Sequence, residues 1–191
     1  MKEFQPALRI FLVFTLLTGI VYPLVMTGVA QIAFRRQANG TLVESGGRVI
    51  GSELVGQAFT KPEYFHGRPS ANDYDASNSG GSNYGPTSAA LMKQVADRVA
   101  AVRIENGLPS DAYIPADLVT ASASGLDPDI SVEGALLQAP RVAKARGLPL
   151  SGVESLVRAH VEKPWLGFWG QPRVNVLLLN LSLDKAMSGK R

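Results

Sequence analysis

The stretch Ile10–Phe34, IFLVFTLLTGIVYPLVMTGVAQIAF, runs for 25 residues without a charge and lies between Arg9 and the pair Arg35-Arg36. As a helix it rises about 1.5 Å per residue and spans roughly 37 Å, more than the ~30 Å hydrocarbon core of a bilayer. In hydrocarbon a helix satisfies its own backbone, and the flanking arginines mark where water resumes. The alternative is a cleaved signal peptide, with Lys2 and Arg9 as its charged start and Gly28-Val29-Ala30 as a small-residue cleavage site. The apolar region of a signal peptide is only about 7–15 residues long. This run continues past Ala30 to a double arginine, so it reads as a retained anchor.

Within the run, Thr15, Gly19, Pro23 and Thr27 recur every four residues. That spacing predicts a helix-packing face, where small residues let a second helix come close. Pro23 cannot donate to the Gly19 carbonyl, which leaves a free acceptor in mid-membrane. No Asp, Glu, Lys, Arg or His interrupts the run. A single helix of this kind offers no ion path of its own.

Outward from the anchor, residues 1–36 with the span at about 10–34 form one unit, and residues 37–191 are enough for one further domain with its own core. The formal charge of +3 belongs to the anchor flanks, because Lys2, Arg9, Arg35 and Arg36 face only Glu3, leaving 15 basic and 15 acidic residues in the rest. A neutral domain lacks the electrostatic footprint of a nucleic-acid binder. The absence of cysteine excludes disulfides, thiolate nucleophiles and cysteine-held metals. Positive charge is nearly balanced across the span and does not orient it.

Residues 40–59 read as a hairpin, two short apolar runs around Ser45-Gly46-Gly47. Thr60 to Thr87 has no hydrophobic period, is rich in Pro, Gly, Ser, Asn and Asp, and carries scattered aromatic residues. A loop of that length inside a compact domain is usually functional. Tyr64, Arg68, Tyr74 and Tyr84 are its candidate partner contacts, since aromatic anchors bring large area at little entropic cost.

After Ser88 the spacing of Leu91, Met92, Val95, Val99 and Val102 predicts an amphipathic helix that stops at Gly107 and Pro109. Leu118–Ala121 is an expected short strand. Val132–Arg146 is an expected helix, kinked or divided at Pro140 and closed by Gly147. Ser151 and Glu154 have capping-box spacing for a helix toward His160. Trp165–Trp169 is an aromatic turn, expected at the rim of the core rather than as an interfacial belt. Arg173–Leu183, RVNVLLLNLSL, is the strongest strand candidate, with burial on both faces. The predicted class is α+β: one N-terminal transmembrane helix, then one mixed domain.

Chemical motifs are weak. Gly80–Thr87, GGSNYGPT, resembles a phosphate loop in spacing, but Pro86 stands where the lysine belongs and no strand precedes it, so it reads as a turn. His66 and His160 are the only histidines, so a nucleophilic triad must use one of them. His66 lies near Ser70, Asp73 and Asp75, which makes a tethered enzyme using His66 the alternative function. The same residues lack a recognisable metal-ligand spacing. Arg141, Lys144 and Arg146 read as a solvated helix end.

Three stretches, taken together, resemble one known family: GRPSANDYDASNSGGSNYGPTS, PADLVTASASGLDPDISVEGALLQAPRVAKARGL and QPRVNVLLLNLSLD. With a single amino-terminal span before them, the chain looks like the KdpC component of the bacterial Kdp-type potassium-transporting ATPase over essentially its whole length. The resemblance implies an accessory subunit with no catalytic residue, cofactor or metal of its own. Its partners would be the channel-like KdpA that carries K+, the P-type KdpB that hydrolyses ATP, and the small KdpF. It also implies a cytoplasmic amino terminus, a periplasmic domain at the inner membrane, and a catalytic-chaperone role that raises the affinity of KdpB for ATP. That role has been tied to an L-S-x-x-Q pentapeptide. The matching stretch here is Leu148-Pro149-Leu150-Ser151-Gly152, and the next frame, Leu150 to Glu154, also lacks the glutamine. Direct nucleotide contact by this chain is therefore not implied.

Overall fold

An apolar helix opens the structure, a computed structural model that describes residues 3–188. It runs from Phe4 to Ala33, six residues earlier than the uncharged run begins, so Arg9 lies within it. Lys2, the other leading basic charge, lies outside the described residues. Two α segments, α1 (Phe4–Leu16) and α2 (Tyr22–Ala33), are joined by a π turn at Leu17–Val21. Pro23, which has no N–H to give, sits in the first turn of α2, and the Tyr22 N–H reaches back to the Leu17 carbonyl across the wider turn. The most apolar window of this helix is not covered by anything in the chain. These thirty residues, exposed at every position but the half-buried Ala30, are long and apolar enough to cross a membrane. After a break at Phe34 comes the single turn α3 (Arg35–Ala38).

The chain forms two compact units, residues 1–42 and 43–191. The second is mixed, and its helices and strands follow from local signals in most places. Strands β1 (Leu42–Ser45) and β2 (Arg48–Ser52) pair as the expected hairpin, with Gly46 and Gly47 at positive φ in its turn. Helix α4 (Ala89–Asn106) starts after Ser88 and ends in a left-handed Gly107. Helix α5 (Val132–Arg146) is capped by the Ser131 hydroxyl, which accepts from the Gly134 N–H at 2.9 Å. It ends at Gly147 and passes through Pro140 undivided. Pro140 lies on the exposed face, away from the packed side of the helix.

Two local expectations give way here. Leu118–Ala121 is not a strand: a 3-10 turn occupies Ala116–Leu118, and the following carbonyls are taken by side chains. Arg98 donates to Val119 and Arg68 reaches Thr120, so no strand partner is needed. Ser151 and Glu154 form no capping box, because α6 (Leu150–Ala159) begins two residues earlier than such a box would place it, with Pro149 as its cap. Two short strands were not expected at all, β3 (Asp129–Ser131) and β4 (Val161–Glu162).

The largest departure is at the carboxyl end. Only Arg173–Asn175 is a strand, β5, and Val176–Ser188 is a helix, α7. Val176, Leu179, Asn180 and Leu183 are buried at three- and four-residue spacing, which is helical periodicity. Asn175 caps this helix, its side-chain oxygen accepting from the Leu178 N–H at 3.1 Å. Leucine also favours helix more than the β-branched residues do, so a run of it is poor support for a strand.

Strand β5 is central in an antiparallel sheet ordered β3-β5-β4, with Val174 opposite both Ile130 and Val161. Helices α5, α6 and α7 pack with it around one core that includes Ile130, Val142, Val157, Val174 and Leu179. One core residue, Phe65, comes from the long loop.

Candidate functional site

The loop from Thr60 to Thr87 has no helix or strand, as expected, yet its backbone is held residue by residue. Arg141 of α5 donates to the Pro62 and Tyr64 carbonyls at 2.6 and 3.0 Å. Arg146, one turn on, donates to the Glu63 carbonyl at 2.6 Å and lies 4.8 Å over the Tyr64 ring. Asn180 of α7 accepts from the Phe65 N–H at 2.8 Å and donates to the Phe65 carbonyl at 2.9 Å. Gln138 of α5 does the same for His66, at 2.8 and 3.1 Å. Five consecutive residues are thus paired with side chains where a strand would be paired with backbone.

This corrects the reading of Arg141, Lys144 and Arg146 as a solvated helix end. Only Lys144 is exposed, while the Arg141 and Arg146 side chains keep 7% and 5% of their accessible surface. Burial pushes the Arg141 guanidinium below its usual pKa, with Glu105 acting the other way. Arginine suits the task because its fixed fork of donors can reach several carbonyls at once.

The second half of the loop lies on residues 120–127. Ser70 donates to the Gly125 carbonyl at 2.8 Å, Gly80 N–H to Ser124 at 2.9 Å, and Arg68 to Asp127 at 2.9 Å. The approach is close: a Cβ on Gly125 would stand 2.0 Å from Asn72 Oδ1, at a φ of +69° that favours glycine. The first two stretches that carry the family resemblance therefore meet here, and the third pairs with the second through β3 and β5. The signal for this was compositional only, a polar loop with its own aromatics.

Of the four candidate contact residues, Tyr64 and Arg68 are tied inward, Tyr64 to Asp184 of α7 at 3.2 Å. Burial, then the Asp184 charge, raises the Tyr64 pKa, and burial followed by Asp127 raises that of Tyr74. Tyr74 sits at a positive φ and donates to the Arg68 carbonyl. Tyr84 is the exposed member, at 42%. Thr15, Gly19, Pro23 and Thr27 are all exposed on the apolar helix. A residue spacing of four drifts around an α-helix, and the π turn, with more residues per revolution, reduces that drift.

His66 is not part of a triad. Its Nδ1 lies 2.8 Å from Glu105 of α4 and its Nε2 3.0 Å from the Lys61 carbonyl. Ser70 is engaged in its own turn, accepting from Asn72 and Tyr74. His160 bonds Ser182 at 2.8 Å and joins α6 to α7. Among the described residues no group of three or more His, Asp or Glu is arranged to hold a metal. Gly80–Thr87 is a turn laid against Ser124, and Ser151 and Gly152 are exposed in the first turn of α6. An open groove of about 730 Å3 combines Asp117, Asp127, Asp129 and Glu133 with Arg68 and Arg173. Three of those carboxylates already serve the fold: Asp117 holds Ser131, Asp127 holds Arg68, and Asp129 pairs with Arg173 at 2.9 Å.

Residues 4–185 match the family described as KdpC: K+-transporting ATPase, c chain. The potassium-transporting ATPase KdpC subunit of Mycobacterium tuberculosis is 55% identical over 186 residues, covering 96% of this chain and 98% of that protein. The proteins of the same description from Rhodopseudomonas palustris and Bradyrhizobium diazoefficiens are 53% and 52% identical over 200 residues, each across 97% of this chain and 98% of the relative.

Proposed function

The chain belongs to the family of K+-transporting ATPase c chains, and from that premise we propose that it is a non-catalytic accessory subunit of an ATP-driven potassium uptake pump. The observation that carries this reading is that the side chains best suited to chemistry hold the domain's own loop together. His66, Gln138 and Arg141 all act there. The partners in this reading are a channel-like protein that carries K+, a P-type protein that hydrolyses ATP, and a small third component. The chain supports their assembly and raises the affinity of the P-type partner for ATP. Its amino terminus is cytoplasmic and residues 37–191 form a periplasmic domain at the bacterial inner membrane. An influence on ATP then has to pass through the membrane part of the complex.

The test is potassium-stimulated ATP hydrolysis by the complex purified with and without this chain. The expected result is a higher KM for ATP without it and no hydrolysis by the chain alone. Turnover by the chain alone, or an unchanged KM, overturns the reading. Orientation is checked with reporters fused at the carboxyl terminus, where activity confined to the cytoplasm would reverse it.

The anchor is proposed to pack on its partners through Thr15, Gly19, Pro23 and Thr27. A Cβ on Gly19 meets nothing within 4 Å in this chain, so a larger residue there acts only on what approaches from outside. Gly19→Leu is expected to reduce co-purification with the partners about tenfold, while the control Leu16→Phe leaves it unchanged, because close backbone approach is the attraction. Equal recovery of the two variants would remove that face as the interface.

A further inference from the structure

The connection from β4 to β5 leaves four neighbouring large apolar side chains uncovered. Expected at the rim of the core, Trp165 and Trp169 instead stand 67% and 69% exposed, with Leu166 and Phe168 between them at 66% and 74%. The hairpin base is pinned by Glu162 and Arg173, at 2.8 Å. From Pro164 to Pro172 the sequence PWLGFWGQP carries no charge, and the exposed Lys163 precedes it.

The turn itself is well made. Trp165 and Trp169 exchange backbone bonds at 2.9 Å in both directions, Gly167 N–H donates to Pro164 at 3.0 Å, and the two indoles pack edge to face at 6.0 Å. Leu166 holds a φ of +53°, a conformation leucine adopts at a cost, with its side chain turned outward. A turn that pairs the N–H groups of Trp165, Gly167, Phe168 and Trp169 internally and holds its apolar side chains outside is suited to a medium poorer in hydrogen bonds than water.

We propose that the Trp165–Trp169 turn inserts into the interfacial region of the bilayer that holds the apolar helix. Eight residues separate Ala33 from Leu42, where β1 begins. At full stretch they reach roughly 30 Å, less than the ~40 Å breadth of a domain of this size, so the tether keeps the domain within reach of lipid. Tryptophan is the residue enriched at the membrane interface, its ring among acyl chains and its N–H toward the headgroups. A second copy of the chain is a poorer occupant. Four such side chains offer about 500 Å2, short of the ~800 Å2 per partner that a stable interface buries.

Trp165 and Trp169 are the only two tryptophans in the protein, so intrinsic fluorescence reports on this turn alone. The inference rests on the membrane-anchored reading, and the experiment separates the two. The full chain is reconstituted into vesicles, and flotation with the vesicles reports the anchor. Lipids brominated near the top of the acyl chain, at the ~5–10 Å depth that interfacial groups reach, should then remove about half of the emission. Aqueous iodide should quench about twofold less than it does in free tryptophan. The single variants Trp165→Phe and Trp169→Phe assign the depth of each ring without touching the core. A chain that floats but shows iodide-accessible emission untouched by brominated lipid keeps its anchor and overturns the insertion. Protection that arises only when the partner proteins are added overturns it too, and assigns the turn to a protein contact. A chain that fails to float overturns the anchor and the insertion together.

Discussion

Replacing Phe65 by alanine is expected to cost the domain about 3–5 kcal/mol, the range for removing a fully buried phenylalanine. Phe65 is the only residue of the long loop in the core cluster, and it has no exposed surface. Its ring anchors a loop that has no secondary structure to hold it otherwise. The loss corresponds to a fall in Tm of about 10 °C for a domain of this size. Because both tryptophans are on the surface, unfolding of the purified full chain is best followed by circular dichroism rather than by fluorescence. A cost below about 1 kcal/mol would mean that the loop is not docked through this ring. Phe65→Leu, which keeps most of the apolar volume, should cost less than about 1.5 kcal/mol.

Asn180→Leu carries the next largest expected effect. Asn180 is buried and satisfies both backbone groups of Phe65, 115 residues away. Leucine has the same side-chain branching but is bulkier, so overpacking adds to the loss of the two hydrogen bonds. Each buried group left without a partner costs about 1–3 kcal/mol, and the pair therefore about 2–6 kcal/mol. In the double variant with Phe65→Ala the costs should fall short of their sum, since both act on the same docking event. Strict additivity would show that the ring and the amide hold the loop independently. The same pair bears on the outer half of the loop, because residues 67–88 follow Phe65 closely and bond to residues 124–127. Partner recovery should fall in step with stability in both variants.

Much of the architecture could be read locally. The apolar run, the glycine turn at Ser45-Gly46-Gly47, the start of α4 after Ser88, and the ends of α4 and α5 at Gly107 and Gly147 all stand where the residues place them. Each rests on interactions within a few positions along the chain. Gly107 and Gly147 take left-handed conformations that other residues adopt at a cost. The carboxyl-terminal run reads as a strand because a short continuous apolar stretch fits a strand buried on both faces as well as a buried helix. Its Asn175 cap and the spacing of Val176, Leu179, Asn180 and Leu183 were the deciding signs, and both favour helix.

The candidate site was legible only in part. Composition marked residues 60–87 as a loop that makes contacts, but not what it touches. By itself the sequence determined that the chain has one membrane-length helix, a mixed domain with no cysteine chemistry, and three stretches of one family's pattern. Those conclusions depend on length, charge and neighbours in sequence. Tertiary structure alone decided that Arg141 and Arg146 face inward, that Tyr64 and Arg68 serve the fold, and that Trp165 and Trp169 face outward. An arginine or a tryptophan has chemistry enough for either surface or interior. Which it takes is decided by whether carbonyls or carboxylates from 59 to 120 residues away arrive beside it, and no local pattern encodes that arrival.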